Sequence, residues 1–372
     1  MWLRAQWFPK SNERHWRESV DREVLATRNS VGICDVTTLG KIDVQGSDAA
    51  IFLNKIYANG FAKLAIGKTR YGLMLREDGI VMDDGTAGRL AEDHFVVTTT
   101  TANAVPVYRH MEFARQCLWP DLDVQLISTT ESWAQYAVAG PNARRLLLKV
   151  VDPSFDISNE AFPFMGCANI TVFGGLRARL FRISFSGELA FEIAVPTRYG
   201  DAMMRRLMKE GEEFGVTPYG TEALGVMRIE KGHATGNELN GTTTALNLGM
   251  GLMVSKKKDS IGSTLSERVG MNPEDALKLV GFRPVNSKDP VPAGSHLMTK
   301  GDPVDAAHDQ GYITSACYSP NLGYSIAIGY LKSGDTRKGE IMRLVSPLAG
   351  YDHEVEVVSA HFLDPEGERM RA

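Results

Sequence analysis

The C-terminal part of the sequence, from Leu277 onward, alternates short strand-like segments with turn residues and contains no convincing helix. Segments such as VGFRPV, GYITSACY and YSIAIGYL are separated by Gly, Pro, Asp or Asn. Short strands at this spacing are typical of a small barrel or sandwich. The preceding residues mix helical and strand patterns instead. The sequence therefore predicts an α+β region over residues 1–275 and an all-β domain over residues 276–372.

Several elements of the front region are readable from local patterns. Residues 31–46 predict a strand pair that turns through residues 37–40. Residues 175–196 alternate like a hairpin that turns near Ser186, where Glu188 is expected to be solvated. Apolar spacing and end signals predict helices over residues 13–30, 198–214 and 220–231.

Residues 69–101 read as an antiparallel meander. Four short strands, RYGLML, GIVMDD, TAGRL and HFVVTTT, are predicted, with turns at residues 77–79 and 91–93. Asp83 and Asp84 close an apolar strand and precede Gly85. On residue type alone, such an aspartate is most often a turn former.

Composition excludes several classes of protein. The net charge of −4, with acids and bases mixed along the chain, argues against a general nucleic-acid binder. No apolar run is long enough to cross a bilayer, and the N-terminus lacks the apolar core of a secretory signal. The tryptophans of MWLRAQW are therefore expected to pack on the body of the protein or on a neighbouring chain. The four cysteines and eight histidines are scattered, which predicts reduced thiols in a cytoplasmic protein and no metal site.

The common nucleotide-binding signatures are missing from the sequence. No GxGxxG follows a strand, and neither GxxxxGK[ST] nor GxSxG occurs. We therefore expect no flavin or NAD to be bound by this chain through those motifs.

Five segments, in this order, carry a family resemblance: DVTTLGKIDVQGSDAAIFLNKI, RYGLMLREDGIVMDD, FSGELAFEIAVP, GTEALGVMRIEKG and TSACYSPNLGYSIAIGYL. Together they resemble the folate-binding aminomethyltransferase family, which includes the glycine-cleavage T-protein. Within that family the likeness is closest to the C-terminal part of the α subunit of heterotetrameric sarcosine oxidase. The resemblance implies a three-part cloverleaf, in which two interleaved α+β modules and a C-terminal β-barrel surround a central folate channel.

The resemblance also implies a cofactor and partners. Tetrahydrofolate would accept the one-carbon unit of oxidised sarcosine and become 5,10-methylenetetrahydrofolate. Flavin and NAD would be held elsewhere, either on flavin-bearing sarcosine oxidase subunits or on a dinucleotide-binding region preceding this one.

The family pattern assigns the chemistry to one member of the aspartate pair. Asp84 matches the catalytic carboxylate near N5 and N10 of tetrahydrofolate, where positive charge develops and protons move. Neighbouring strand residues point to opposite faces, so Asp83 is expected to keep a structural role at the turn. Glu192 matches the carboxylate that accepts paired hydrogen bonds from the 2-amino group and ring N–H of the pterin.

The resemblance implies further contacts with the cofactor, and for several of these residues a role without the cofactor is the alternative. Arg228 matches an arginine that meets the folate carbonyl or glutamyl carboxylate, although it reads equally well as a solvent-facing helix residue. Tyr71 and Leu39 match positions that pack on the folate rings, where plain core packing is the alternative. Phe185 replaces a frequent tyrosine, and Thr100 replaces a common asparagine.

Two other functions remain open on sequence grounds. One is a self-sufficient demethylase or aminomethyltransferase that uses tetrahydrofolate. The other is a non-catalytic folate-binding protein, whose relatives carry a cysteine in a KGCYxGQE-like segment. The segment KGHATGNE has His233 at that position, which counts against the last hypothesis. His233 itself is expected to be structural.

Overall fold

The computed structural model describes residues 3–372, so the expected packing of Trp2 lies outside the described residues. Trp7 packs, partly buried, against the apolar cluster around Val20 and Val24, on the body of the protein as expected.

The front part contains strands and helices in mixed order. Its strands are β1 (Gly32–Asp35), β2 (Gly40–Gln45), β3 (Thr69–Leu75), β4 (Val81–Ala91), β5 (His94–Thr99), β6 (Gln125–Ser128), β7 (Trp133–Ala139), β8 (Cys167–Val172), β9 (Leu176–Phe181), β10 (Ala190–Pro196) and β11 (Thr217–Pro218). The helices described along the whole chain are α1 (Trp16–Asn29), α2 (Ala49–Ile56), α3 (Ala104–Phe113), α4 (Ala143–Leu147), α5 (Gly200–Glu210), α6 (Thr221–Lys231), α7 (Ser263–Ser266) and α8 (Glu368–Arg371). The helices predicted over residues 13–30, 198–214 and 220–231 are therefore confirmed as α1, α5 and α6.

These strands form two sheets. The first sheet has the order β11-β1-β7-β10-β9-β8, and the second has the order β3-β4-β5-β2-β6. Helices α4 and α5 bury Leu146 and Leu207 against the first sheet. Helices α2 and α3 bury Phe52 and Met111 against the second sheet. Each module thus has its own apolar core of helices on a sheet.

The two sheets meet through one buried ion pair and a small apolar cluster. Arg179 on β9 donates to both carboxylate oxygens of Asp43 on β2, at 2.9 and 2.6 Å. Beside this pair, Val96 packs against Cys167 and Phe181. These contacts fix the relative position of the sheets.

Residues 31–46 do not form the strand pair that their alternation predicts. β1 pairs with β7 and β11 in the first sheet, whereas β2 pairs with β5 and β6 in the second. Residues 36–39, here called the crossover, carry the chain from one sheet to the other. The second sheet is therefore inserted between β1 and β7, which interleaves the two α+β modules. Alternation identifies a strand but does not specify its partner.

The aspartate pair does not form a turn. The predicted segments GIVMDD and TAGRL are one continuous strand, β4, and Asp83 and Asp84 lie inside it, paired with Met74 and Leu73 of β3. Gly85 instead allows the backbones of β4 and β5 to approach closely, since a Cβ atom there would lie 2.0 Å from the carbonyl oxygen of Thr98. A glycine inside a strand is compatible with this kind of backbone contact.

The C-terminal part is a closed barrel. Its strands are β12 (Leu277–Pro284), β13 (His296–Met298), β14 (Gly311–Ser319), β15 (Tyr324–Lys332), β16 (Ile341–Ser346) and β17 (Tyr351–Val358). They follow the order β12-β15-β14-β13-β16-β17, and the pairing of β12 with β17 closes the barrel. The predicted combination of an α+β region and a C-terminal β-barrel is confirmed.

The chain returns to the front part after the barrel. The backbone N–H groups of Phe362 and Leu363 both donate to the carbonyl oxygen of Glu230 on α6. The exact division at residues 275 and 276 stays a prediction. Across residues 3–372, none of the helices combines the length and apolar character needed to cross a membrane.

Candidate functional site

A half-buried tyrosine and a half-buried aspartate form the centre of the site on the second sheet. The Tyr71 hydroxyl on β3 donates a 2.8 Å hydrogen bond to Asp84 on β4, and it lies 4.0 Å from the sulfur of Met250. Burial raises the pKa of Asp84 to about 6, and the negative charge of Asp83 acts in the same direction. The hydrogen bond from Tyr71 opposes this rise. At neutral pH the carboxyl group is therefore mainly ionised, yet close to its proton-binding range.

Asp83 points to different partners, as alternation along the strand requires. It accepts hydrogen bonds from the backbone N–H and hydroxyl of Thr100, at 3.1 and 2.8 Å, and from the Asn103 amide at 3.0 Å. Asp83 thus holds the segment between β5 and α3 in place. The Thr100 hydroxyl donates its hydrogen bond to Asp83. In this structure Thr100 therefore supports Asp83, whereas the resemblance implied a contact between Thr100 and the cofactor.

Glu192 is the corresponding carboxylate on the first sheet. It lies on β10, is 7% exposed and accepts a short hydrogen bond from the Gln135 side-chain amide on β7. Burial raises the pKa of Glu192 to about 6, whereas the Gln135 hydrogen bond and the charge of Lys41 act against that rise. Among residues 3–372, Gln135 is the one group that donates to this carboxylate. A carboxylate accepts more than one hydrogen bond, so acceptor capacity remains for a ligand.

The crossover is held to both of its neighbouring segments by hydrogen bonds. Lys41 donates from Nζ to the carbonyl oxygens of Thr37 and Leu39, at 2.7 and 2.9 Å. Thr38 shares a 2.9 Å hydroxyl hydrogen bond with Thr101, next to the segment that supports Asp83. Leu39 itself is half-buried. Its backbone is fixed between the sheets, while part of its side chain stays accessible.

Arg228 is not solvent-facing. It is buried and donates to Glu238 at 2.9 Å, to the Ser315 hydroxyl at 2.6 Å and to the carbonyl oxygen of His233 at 3.1 Å. The acid partner lies ten residues along the chain, beyond the helix, so a search at helical spacing does not find it. These contacts join α6 to the barrel. They also provide the guanidinium group with hydrogen-bond partners inside the protein.

Phe185 and His233 form a neighbouring pair. Their ring centroids are 5.5 Å apart, and Nδ1 of His233 lies 3.0 Å from the carbonyl oxygen of Phe185. Burial lowers the pKa of His233 to about 4, so the ring is neutral at pH 7 and Nδ1–H is the donor. This contact gives His233 the structural role expected for it. The ring of Phe185 remains 37% exposed.

Glu188 is not solvated at the hairpin end. It is buried and accepts hydrogen bonds from Arg28 at 2.8 Å and Arg369 at 2.7 Å. Arg28 also pairs with Glu230 on α6. These long-range partners come from the start and the end of the chain, so local sequence does not reveal them.

The structure thus resolves the predicted residues into three groups. Tyr71 and Asp84 are in direct contact, and Leu39 is linked to Glu192 through Lys41. Arg228, Phe185 and His233 form the third group, which is fixed by internal contacts. No set of three or more His, Cys, Asp or Glu side chains suited to a metal ion occurs within the described part of the chain.

Three important residues were missed by reading the sequence. Lys41 and Gln135 support Glu192, and Glu238 neutralises Arg228. The available signal was a polar side chain with apolar neighbours inside a strand, Lys41 in GKIDV and Gln135 in WAQYAVA. Glu238 lies in a loop and gives no such signal.

Family models match both parts of the chain. The model for the GCVT N-terminal domain matches residues 1–258, and the model for the glycine cleavage T-protein C-terminal barrel domain matches residues 278–364. The sequence resemblance is therefore confirmed.

Individual relatives extend this result. Sarcosine oxidase subunit alpha of Rhizobium meliloti (strain 1021) is 50% identical over all of the chain and 38% of that protein. The subunit alpha of Corynebacterium sp. (strain P-1) is 42% identical over 99% of the chain and 38% of that protein. The chain therefore spans little more than a third of the length of these relatives.

Shorter relatives match over most of their own length. The aminomethyltransferase of Chloroherpeton thalassium is 28% identical over 92% of the chain and 90% of that protein. The crystal structure of glycine cleavage system aminomethyltransferase T from Bartonella henselae superposes with a TM-score of 0.79. It is 25% identical and covers 93% of this chain and 90% of its own. The chain belongs to the glycine cleavage T-protein family.

Proposed function

We propose that the chain binds tetrahydrofolate and forms 5,10-methylenetetrahydrofolate from the one-carbon unit of oxidised sarcosine. The observation that carries this proposal is the half-buried Asp84 carboxylate, held by Tyr71 and with a pKa raised to about 6. Such a group both stabilises positive charge and exchanges protons near neutral pH.

Glu192 supplies the recognition of the pterin. It is a buried carboxylate with acceptor capacity left over, which suits the 2-amino group and ring N–H of a pterin. A paired set of hydrogen bonds to an ionised acceptor is both strong and directional. Tyr71, which contacts Asp84, and Leu39, in the crossover, are half-buried and offer packing surfaces for the ligand rings. The residues present therefore fit tetrahydrofolate.

When bound, tetrahydrofolate supplies the nitrogens N5 and N10, which capture the one-carbon unit. Asp84 is mainly ionised at neutral pH, so it stabilises the positive charge that develops at the reacting atoms. The same carboxylate accepts a proton in the course of the reaction, since its pKa lies near neutrality. Tyr71 orients Asp84 through its hydrogen bond. Burial of both groups strengthens these electrostatic interactions.

The other predicted contacts remain part of this proposal. Arg228 would reach the folate carbonyl or glutamyl carboxylate while keeping its bond to Glu238. Phe185 would pack on the ligand with the exposed part of its side chain, and Thr100 would act through its hydroxyl oxygen.

Oxidation of the amine would take place outside this chain. The likeness to sarcosine oxidase subunit alpha over the full chain supports sarcosine as the donor. We place the flavin either on partner subunits or on a dinucleotide-binding region that precedes this one in a longer protein, and we place the assembly in the cytoplasm.

Calorimetric titration of the purified chain with tetrahydrofolate tests the proposal. Wild type and the matched control Glu356→Gln, altered on the barrel surface, are expected to bind, whereas Glu192→Gln is expected to lose most of its affinity. Absence of binding by the wild type contradicts the proposal. Equal affinity of wild type and Glu192→Gln contradicts the assignment of the pterin carboxylate.

A stand-alone aminomethyltransferase is the second candidate. It is favoured by the match to the aminomethyltransferase of Chloroherpeton thalassium, which spans 90% of that protein. Turnover of a methylated or aminomethylated donor by this chain alone, without a redox partner, would select it. Formation of methylenetetrahydrofolate only in the presence of the redox partner would exclude it.

A further inference from the structure

Lys41 is a buried lysine on a strand that also carries the buried Asp43. It is 1% exposed on β2, next to the buried Ile42. An ammonium group has three N–H donors, and the carbonyl oxygens of Thr37 and Leu39 accept two of them. Within residues 3–372 Lys41 forms no salt bridge. Burying an ammonium group without a direct counter-ion is costly, so its retention requires a physical reason.

A continuous set of contacts leads from Lys41 to Glu192. Lys41 holds the carbonyl oxygen of Thr37, and the Thr37 hydroxyl accepts a 3.0 Å hydrogen bond from the backbone N–H of Gln135. The Gln135 side chain in turn donates to Glu192. Lys41 also holds the carbonyl oxygen of Leu39. One side chain thus fixes the crossover and the support of the buried carboxylate.

The charges of the two groups act on each other. Burial lowers the pKa of Lys41 to about 8, while the negative charges of Glu192 and the exposed Asp35 favour its ammonium form. In return, the positive charge of Lys41 favours the ionised form of Glu192. Cys34 and Tyr219 also lie within range of Glu192, but burial raises the pKa of both, so they are neutral at pH 7.

We infer that Lys41 is a positioning residue of the pterin site, which fixes the crossover and keeps the Glu192 carboxylate ionised at neutral pH. This inference rests on the proposed folate function, because it assigns Glu192 to the ligand. Lys41 then sets the pH range over which the site accepts the N–H groups of a pterin.

The test measures the affinity for 5-formyltetrahydrofolate as a function of pH, between about pH 5 and pH 9, by calorimetry. Since the ionised carboxylate binds the ligand, wild-type affinity is expected to be high above about pH 6 and to fall below it. Lys41→Met removes the positive charge. The midpoint of the curve of affinity against pH is therefore expected to rise by on the order of one pH unit. Affinity then drops several-fold at neutral pH and recovers in alkaline buffer.

Three further variants separate charge from structure. Lys41→Arg keeps the charge and is expected to keep the wild-type midpoint. Lys41→Gln keeps N–H donors without the charge and is expected to share the raised midpoint, which provides a second measurement if Lys41→Met does not fold. Lys258→Met is the matched control, since Lys258 also donates to two backbone carbonyls, of Asn54 at 2.6 Å and of Tyr57. Its midpoint is expected to equal that of the wild type.

The outcomes are distinguishable. A wild-type midpoint in both uncharged variants, or a loss of affinity that is equal at every pH, overturns the positioning role of Lys41. A wild-type chain that binds no 5-formyltetrahydrofolate at any pH instead overturns the proposed function. Melting temperatures of all variants show which of them are folded.

Discussion

The Tyr71 hydroxyl donates a hydrogen bond to Asp84 across two neighbouring strands, and both residues are half-buried. This contact joins Tyr71, which we assign to packing on the ligand rings, to Asp84, which we assign to proton transfer. Two variants separate these roles.

Asp84→Asn is expected to retain tetrahydrofolate binding and to lose formation of 5,10-methylenetetrahydrofolate. The amide keeps the shape of the side chain but carries no negative charge and takes up no proton. A loss of about 10²- to 10⁴-fold in turnover is expected for a removed acid–base group. Product formation is measured in the presence of the redox partner that we propose, and binding by calorimetry. Turnover at the wild-type rate would exclude Asp84 from the chemistry.

Tyr71→Phe is expected to move the acid limb of the pH–rate profile to higher pH. The profile of the wild type falls below about pH 6, because the Asp84 carboxylate is then protonated. The hydrogen bond from Tyr71 lowers the pKa of Asp84, so its removal raises that pKa further. Tyr57→Phe is the matched control, because this buried tyrosine lies near the same aspartates and donates no hydrogen bond to Asp84. A shift of equal size in both variants contradicts the prediction.

The aspartate pair also shows what the sequence could reveal. Alternation along a strand separated Asp83 from Asp84 correctly, because it depends only on local geometry. The same local reading predicted a turn at Gly85, where the structure has a continuous strand in contact with the backbone at Thr98. The reason for this glycine lies on another strand, which the local sequence does not specify.

Long-range partners explain the other differences. Strand alternation located β1 and β2, yet their separation into two sheets depends on β7 and β5. Likewise, the partners of Arg228 and Glu188 come from distant segments, so these side chains read as exposed although they are buried. The family resemblance supplied the candidate residues, but the supporting roles of Lys41 and Gln135 require the packed structure.

Gly85→Ala is expected to destabilise the second sheet. The added Cβ atom would lie 2.0 Å from the carbonyl oxygen of Thr98, so β4 and β5 must separate. A loss of about 1–3 kcal/mol in the free energy of unfolding is expected for such overpacking. Gly225→Ala on α6 is the control, since a Cβ there meets no neighbouring atom. It is expected to be neutral or stabilising by about 1 kcal/mol. Denaturant unfolding of both variants tests the pair.

Asp43→Asn is expected to weaken the contact between the two sheets, most clearly at neutral pH. Burial alone would raise the pKa of Asp43, but hydrogen bonds from His94 and Arg179 lower it to about 2. A lowered pKa in the folded state stabilises the protein above the unfolded value of 3.8, and this stabilisation is lost as the pH falls towards 2. The variant should therefore lose stability at neutral pH and lose less than the wild type on acidification. Unfolding by denaturant at several pH values measures the difference. If the free energy of unfolding depends on pH in the same way in wild type and variant, the stabilising role assigned to the Asp43 carboxylate is contradicted.

The buried pair of Arg228 and Glu238 is expected to connect the front part to the barrel energetically. Arg228→Met leaves Glu238 buried without its cation, and about 3–5 kcal/mol of stability should be lost. Arg228→Met combined with Glu238→Gln should recover part of that loss, because no unpaired charge remains. The surface pair of Arg283 and Glu356 at 2.7 Å is the control, and its disruption should cost less than about 1 kcal/mol. Unfolding free energies of the single and double variants give the coupling energy. Additive losses of stability for the Arg228 and Glu238 variants would show that the pair contributes no coupling energy. The affinity of the folded double variant for folate would then show whether Arg228 is needed to bind the ligand.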